Sequence, residues 1–282
     1  MLTALVQGPD RKGIIAGITG FIHRHGGNIV YLDQHTDLLE GMFFMRVQFD
    51  LAGFDIPREL VPEAFGELCR GFGMRSRLRF SDGRRRVAIL VSRKGHCLAD
   101  LLHRWEVGHL ACDIPLIVSN HEEQRALAEY HRIPFHHLPV NPSDGGAQEG
   151  RVRELLAAEG VDTVVLARYM QILSPGFVAA YPSAIINIHH SFLPAFAGAD
   201  PYRRAFQRGV KIIGATSHYV TEDLDQGPII AQETIPVSHR DTVEDLMRKG
   251  SDVERLVLAR AVSLHLRDQV LVHEGKTVVF GE

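Results

Sequence analysis

The chain has 282 residues, 45% of them hydrophobic and 23% charged, enough to bury a large core without disulfides or metals and long enough for two domains. Its 31 basic and 34 acidic side chains leave a formal charge of −3, which gives no electrostatic footprint for nucleic acid or an anionic membrane. Three cysteines, Cys69, Cys97 and Cys112, stand far apart without a CxxC pair, which excludes redox and zinc-knuckle motifs and fits a reducing compartment.

Residues 2–7, LTALVQ, read as a short strand, and GPDRKG turns the chain. Ile14, Ile15, Ile18, Phe21 and Ile22 follow at helical spacing until Gly26 and Gly27 stop the helix. NIVYLDQH is a second strand. In MRVQFD, Met45, Val47 and Phe49 alternate with Arg46, Gln48 and Asp50, the pattern of a half-buried strand. Pro57 opens a second helix with Leu60, Val61, Phe65 and Leu68 on one side, and RSRLRF closes the series as a fourth strand. The order βαββαβ is ferredoxin-like. The polar, turn-prone SDGRRR marks the boundary, so residues 1–82 are expected to form one domain and 83–282 another.

Beyond it the texture changes. RVAILVS, DIPLIVSN, TVVLARY and IINIH are nearly continuous apolar runs, as parallel strands covered on both faces require. Helical segments are predicted between and after them, around 97–107, 121–131, 150–159 and 201–208. This alternation predicts a doubly wound, mostly parallel α/β sheet, in which ligands bind at the carboxyl ends of strands. The stretch INIHHSFLPAF, residues 186–196, crosses such an end. The opening residues have no basic n-region or long apolar run, so no signal peptide is expected, and no run reaches the roughly 18 apolar residues of a membrane span, so a cytoplasmic location is expected.

Several chemistries compete for the polar residues. GPDRKGII lacks the Lys and Ser/Thr that a P-loop places after its last glycine. It is therefore a plain entry into a helix or a small-anion or amino-acid site at the helix N-terminus. The histidine doublets His136-His137 and His189-His190 point to opposite faces of a strand, and HExxH is absent, so no metal is expected. Ser191 has no nucleophile-elbow motif around it. Asn187 and His189, two apart on an extended segment, share a face and can polarise a carbonyl, with a carboxylate such as Asp225 holding the imidazole or a water. A capped turn beside a solvated acidic loop is the other reading of the same spacing.

NIHHSFLPAF followed by GATSHYVTEDLDQGPII resembles the signature of the formyltransferase family that uses formyltetrahydrofolate. The resemblance implies a catalytic trio of Asn187, His189 and Asp225. It also implies a folate cleft that includes Leu166, Met170, Gln171, Ile172, Leu173, Val220 and Glu222. The whole chain is most similar to the deformylating branch, which joins an N-terminal ACT domain to the formyltransferase-like half. That likeness implies hydrolysis of 10-formyltetrahydrofolate to formate and tetrahydrofolate, with the folate as substrate and no cofactor. The formate supplies one-carbon and purine metabolism and the reaction balances the folate pool. An ACT domain implies an amino-acid effector, with Asp10, Gly13 and Asn28 as contact candidates, and a homo-oligomer. Where transferases carry Pro after NIH, this chain has His190; where they carry Arg, it has Gln171; and SRKGHCL replaces their phosphate turn. All three shift weight towards hydrolysis. The alternatives are formyl transfer to an amine and a non-catalytic folate or amino-acid sensor.

Overall fold

The structure is a computed structural model that describes residues 1–141, 146–195 and 200–281. It divides into two compact units. One holds Met1–Arg84, Asp268–His273 and the chain from Val278 on; the other holds Arg85–Arg267 and Glu274–Thr277.

The first unit runs β1 (Leu2–Pro9), α1 (Ile14–Arg24), β2 (Asn28–Asp37), β3 (Met42–Asp50), α2 (Val61–Gly71) and β4 (Arg75–Phe80). Its antiparallel sheet has the order β2-β3-β1-β4, the ferredoxin-like arrangement. Ile14, Ile18 and Ile22 on α1, with Val61, Phe65 and Cys69 on α2, bury against Ala4, Val6, Met45, Val47 and Phe49.

The opposite face of that sheet departs from the half-buried pattern expected of MRVQFD. Arg46 is only 5% exposed. Its Nε donates to the Asp268 carbonyl at 2.9 Å and its guanidinium lies over the Tyr31 ring. Leu5 and Phe44 of the sheet bury with Leu271 and Phe280 from the end of the chain. Residues 83–282 were expected to form one domain, yet these last segments complete the first unit. The reason is apolar burial: Phe44 would otherwise face water, at a cost of about 1.5–3 kcal/mol.

The second unit runs β5 (Arg85–Val91), α3 (His96–Glu106), β6 (Cys112–Asp113), β7 (Ile117–Ser119), α4 (Arg125–Tyr130), β8 (Phe135–His137), α5 (Ala147–Ala158), β9 (Thr163–Ala167), α6 (Pro175–Ala180), β10 (Ile185–His189), α7 (Pro201–Arg208), β11 (Ile212–Tyr219), β12 (Ile229–Pro236) and α8 (Val243–Leu266). A terminal hairpin, β13 (Val270–His273) and β14 (Lys276–Val279), follows. The main path is β12-β11-β10-β9-β5-β7-β8, with β6 also on β5. Strands β10, β9, β5, β7 and β8 are parallel, whereas β11 and β12 are antiparallel.

The apolar runs bury as expected: every residue of β9 is buried. The helix predicted over 121–131 is shorter, because the backbone N–H groups of His121 and Arg125 are held in a turn by Ser119 Oγ and the Glu122 carbonyl. Helix α8, 24 residues long, opens on a capping box between Thr242 and Asp245. Among the described residues no helix is long and apolar enough to cross a membrane.

Candidate active site

Strand β10 is central in the second sheet, and its last residues emerge at the carboxyl end. Pairing puts Asn187 opposite Leu166 of β9 on one side and His218 of β11 on the other. The period of two then leaves Asn187 and His189 on one face. The loop after β10 is tied back to the sheet. Thr216 Oγ1 donates to the Ser191 carbonyl and accepts from the Leu193 backbone N–H, and Gln232 donates to both Thr216 and the Leu193 carbonyl. Phe196, the last residue of the motif read from the sequence, lies outside the described residues.

Asp225 arrives from the loop between β11 and β12 in the left-handed conformation, at φ 57°. That region suits Asp and Asn better than most side chains. Gly227 lets the loop return closely. A Cβ there would stand 1.7 Å from the Tyr219 carbonyl oxygen, so only glycine fits.

His189 is 5% exposed, and its Nδ1 lies 3.2 Å from Asp225 Oδ2. Its Nε2 is buried without a protein hydrogen-bond partner among the described residues. Asn187 Nδ2 lies 3.3 Å from His218 Nε2, and His218 Nδ1 is 2.9 Å from the Tyr219 carbonyl. A carbonyl can only accept, so Nδ1 of His218 carries the proton and, in the neutral ring, Nε2 accepts from the Asn187 amide. The amide nitrogen has two protons, so one remains for a ligand.

The hydrogen bond from His189, the largest cause, holds the Asp225 carboxyl well below the usual carboxylate range. His218 Nε2 lies 3.7 Å from Oδ1, beyond hydrogen-bond reach. His190, by contrast, is pushed down to about 4, mainly by burial and then by the Arg168 charge.

These groups open on one cavity of about 420 Å³. Asn187, His189 and Asp225 line it, and so do Leu166, Met170, Gln171 and Ile172. Leu173, Val220 and Glu222 complete the residues assigned to the cleft from sequence, and they line it too. Met170 and Ile172 are 60% and 77% exposed, an apolar lip suited to a flat ring. The site also contains residues that the sequence reading did not single out. His218 stood within the quoted SHYV motif, and its pairing with Asn187 follows from the register. Arg168 lay within an apolar run and gave no signal of its burial.

Asp10, Gly13 and Asn28 are exposed, at the end of β1, the N-cap of α1 and the start of β2. The Asp10 backbone N–H donates to the Gly41 carbonyl at 2.8 Å. His137 of the other doublet pairs with Glu122 at 2.8 Å. The ligand atoms of His96, Cys97 and Glu254 lie within 4.8 Å of one another. Burial, then Glu254, pushes the Cys97 thiol far up, and Tyr202 and His96 occupy the two Glu254 oxygens, which makes this a poor donor set for a cation.

A family model for formyl transferase matches residues 85–262, and one for the ACT domain matches 3–52. The chain is 51% identical to a formyltetrahydrofolate deformylase of Synechocystis sp., over 99% of this chain and 98% of that one. The crystal structure of a formyltetrahydrofolate deformylase from Pseudomonas syringae pv. tomato aligns with a TM-score of 0.97 at 48% identity, covering 99% of this chain and 94% of that one. A glycinamide ribonucleotide transformylase from Symbiobacterium toebii aligns with 70% of this chain and 95% of its own, at a TM-score of 0.67 and 32% identity.

Proposed function

The chain belongs to the formyl transferase family and, within it, to the formyltetrahydrofolate deformylases, and from that membership we propose that it hydrolyses 10-formyltetrahydrofolate to formate and tetrahydrofolate. The observation that carries the reading is the convergence of Asn187, His189 and Asp225 on one cavity with an apolar lip.

The pterin lies in the cleft between the 166–173 segment and the 220–225 loop, with the formyl group over the tip of β10. Nδ1 of His189 is committed to Asp225, so Nε2 serves the substrate. In its neutral form it takes a proton from water as the oxygen attacks the formyl carbon. Asp225 stays ionised, orients the ring and stabilises the imidazolium. The free Asn187 N–H donates to the oxyanion, a contribution of about 3–4 kcal/mol in comparable sites. As the C–N bond breaks, the imidazolium returns its proton to N10, and His189 is neutral again. His218 acts through Asn187 by fixing the orientation of its amide.

The ACT half binds a small amino acid, with Asp10, Gly13 and Asn28 as contacts, and the chain forms a homo-oligomer in the cytoplasm. The formate feeds one-carbon and purine metabolism. The test of the catalytic reading is formate release from 10-formyltetrahydrofolate by purified protein without an amine. Release that requires an added amine would make the chain a transferase instead. Folate binding without turnover would make it a sensor.

A further inference from the structure

Hydrolysis differs from transfer in what it leaves behind. Water adds its oxygen to the formyl carbon, the C–N bond breaks, N10 keeps one proton, and formic acid ionises at neutral pH to formate and a second proton. Transfer to an amine leaves a neutral amide. A site for hydrolysis therefore gains from a group that receives a small carboxylate, and this expectation rests on the hydrolytic reading above.

Arg168 stands just beyond β9 and lines the same cavity as His189. Its side chain is 12% exposed, yet Nε and Nη1 are fully buried and neither hydrogen-bonds to a protein acceptor among the described residues. The Glu254 carboxylate approaches Nε no closer than 3.4 Å. That carboxylate is already occupied, because Oε1 accepts from Tyr202 at 2.6 Å and Oε2 pairs with His96 at 2.8 Å. His190, which burial holds neutral at working pH, offers Arg168 no charged partner. The backbone of Arg168 is left-handed at φ 62°, a conformation that L side chains other than Asn and Asp rarely adopt. A guanidinium with unspent donors, in a cavity that holds the hydrolytic groups, matches the planar geometry of a carboxylate.

We infer that Arg168 forms a carboxylate subsite that receives the formate produced at His189. The glutamate tail of the folate carries the same chemistry. Its position differs, because the exposed lip at Met170 and Ile172 is the open end of the cavity. The His190 ring lies 5.2 Å from the His189 ring and 6.0 Å from that of Tyr202, which donates to Glu254, the carboxylate that faces Arg168.

The test is formate binding to the full-length protein, by calorimetry and as product inhibition. Two variants are used. Arg168→Gly suits the left-handed backbone, and Arg168→Lys keeps the charge without the planar fork. Formate is expected to bind both about tenfold or more weakly than wild type, with acetate binding wild type more weakly than formate. KM is expected to shift less than about threefold for substrates with and without the glutamate tail. Equal formate affinity in all three proteins overturns the subsite. A KM that rises only for the tailed substrate, with formate affinity unmoved, overturns it in favour of the tail. Arg168-dependent formate binding in a protein that releases no formate sustains the subsite and sinks the hydrolytic reading.

Discussion

At the tip of β10, the polar contacts among Asn187, His189, Asp225 and His218 are 3.2–3.7 Å long. In the second cluster of the same unit, Glu254, only 1% exposed, takes its bonds from Tyr202 and His96 at 2.6 and 2.8 Å. Both clusters centre on one carboxylate that meets at least one imidazole. The second joins α8 to α3 and α7, and its carboxylate has no oxygen left for a ligand. The first keeps an imidazole nitrogen and an amide proton unspent. Polar groups that satisfy one another hold elements together, and those left with spare capacity face the ligand.

This contrast can be broken by substitution. Glu254→Ala removes the acceptor from two donors and leaves the Arg168 charge buried and unpaired, a loss of about 3–5 kcal/mol of stability by urea unfolding. A variant that unfolds like wild type and merely turns over slowly would erase the distinction. Asn187→Ala and Asp225→Asn should lower kcat by about 10²–10³, some 3–4 kcal/mol in the barrier, with unfolding free energies within about 1 kcal/mol of wild type.

His190 sharpens the comparison through pH. Its ring has an ordinary value of 6.5 and is held near 4 in the fold, so between those values the unfolded chain binds the extra proton. Stability therefore rises as pH goes from 4 to 6.5, by on the order of 3 kcal/mol from this group. His190→Asn should flatten that slope in urea titrations at pH 5 and pH 7.5. The smallest effect is expected at His218. His218→Ala releases the Asn187 amide and should cost about tenfold in kcat, near 1.4 kcal/mol, with little change in KM. His218→Gln, which retains an acceptor, should recover part of the loss.

The tip of β10 was legible in the sequence because the period of two puts Asn187 and His189 on one face whatever the tertiary setting. The apolar runs of β5 and β9 were legible because parallel strands bury both faces. Asp225 stood out as a candidate in the acidic loop, but its pairing with His189 came only with the resemblance, since its approach depends on a loop whose closeness is set by Gly227. Arg46 and Arg168 were misleading for one reason: a charged residue in an apolar pattern reads as solvated. Arg46 is covered by Asp268, 222 residues further along the chain, and that contact leaves no local trace. The antiparallel edge, β11 and β12, likewise depends on pairing rather than on pattern.

The register between β10 and β11 sets Asn187 against His218 and His189 against Thr216. A slip of one residue would turn the amide and imidazole away from the cavity and into the core. Strand registration and chemical competence are therefore a single event during folding. On dilution from denaturant, regained turnover times the zippering of that central pair, while a compact chain with misaligned strands stays silent however much apolar surface it has buried.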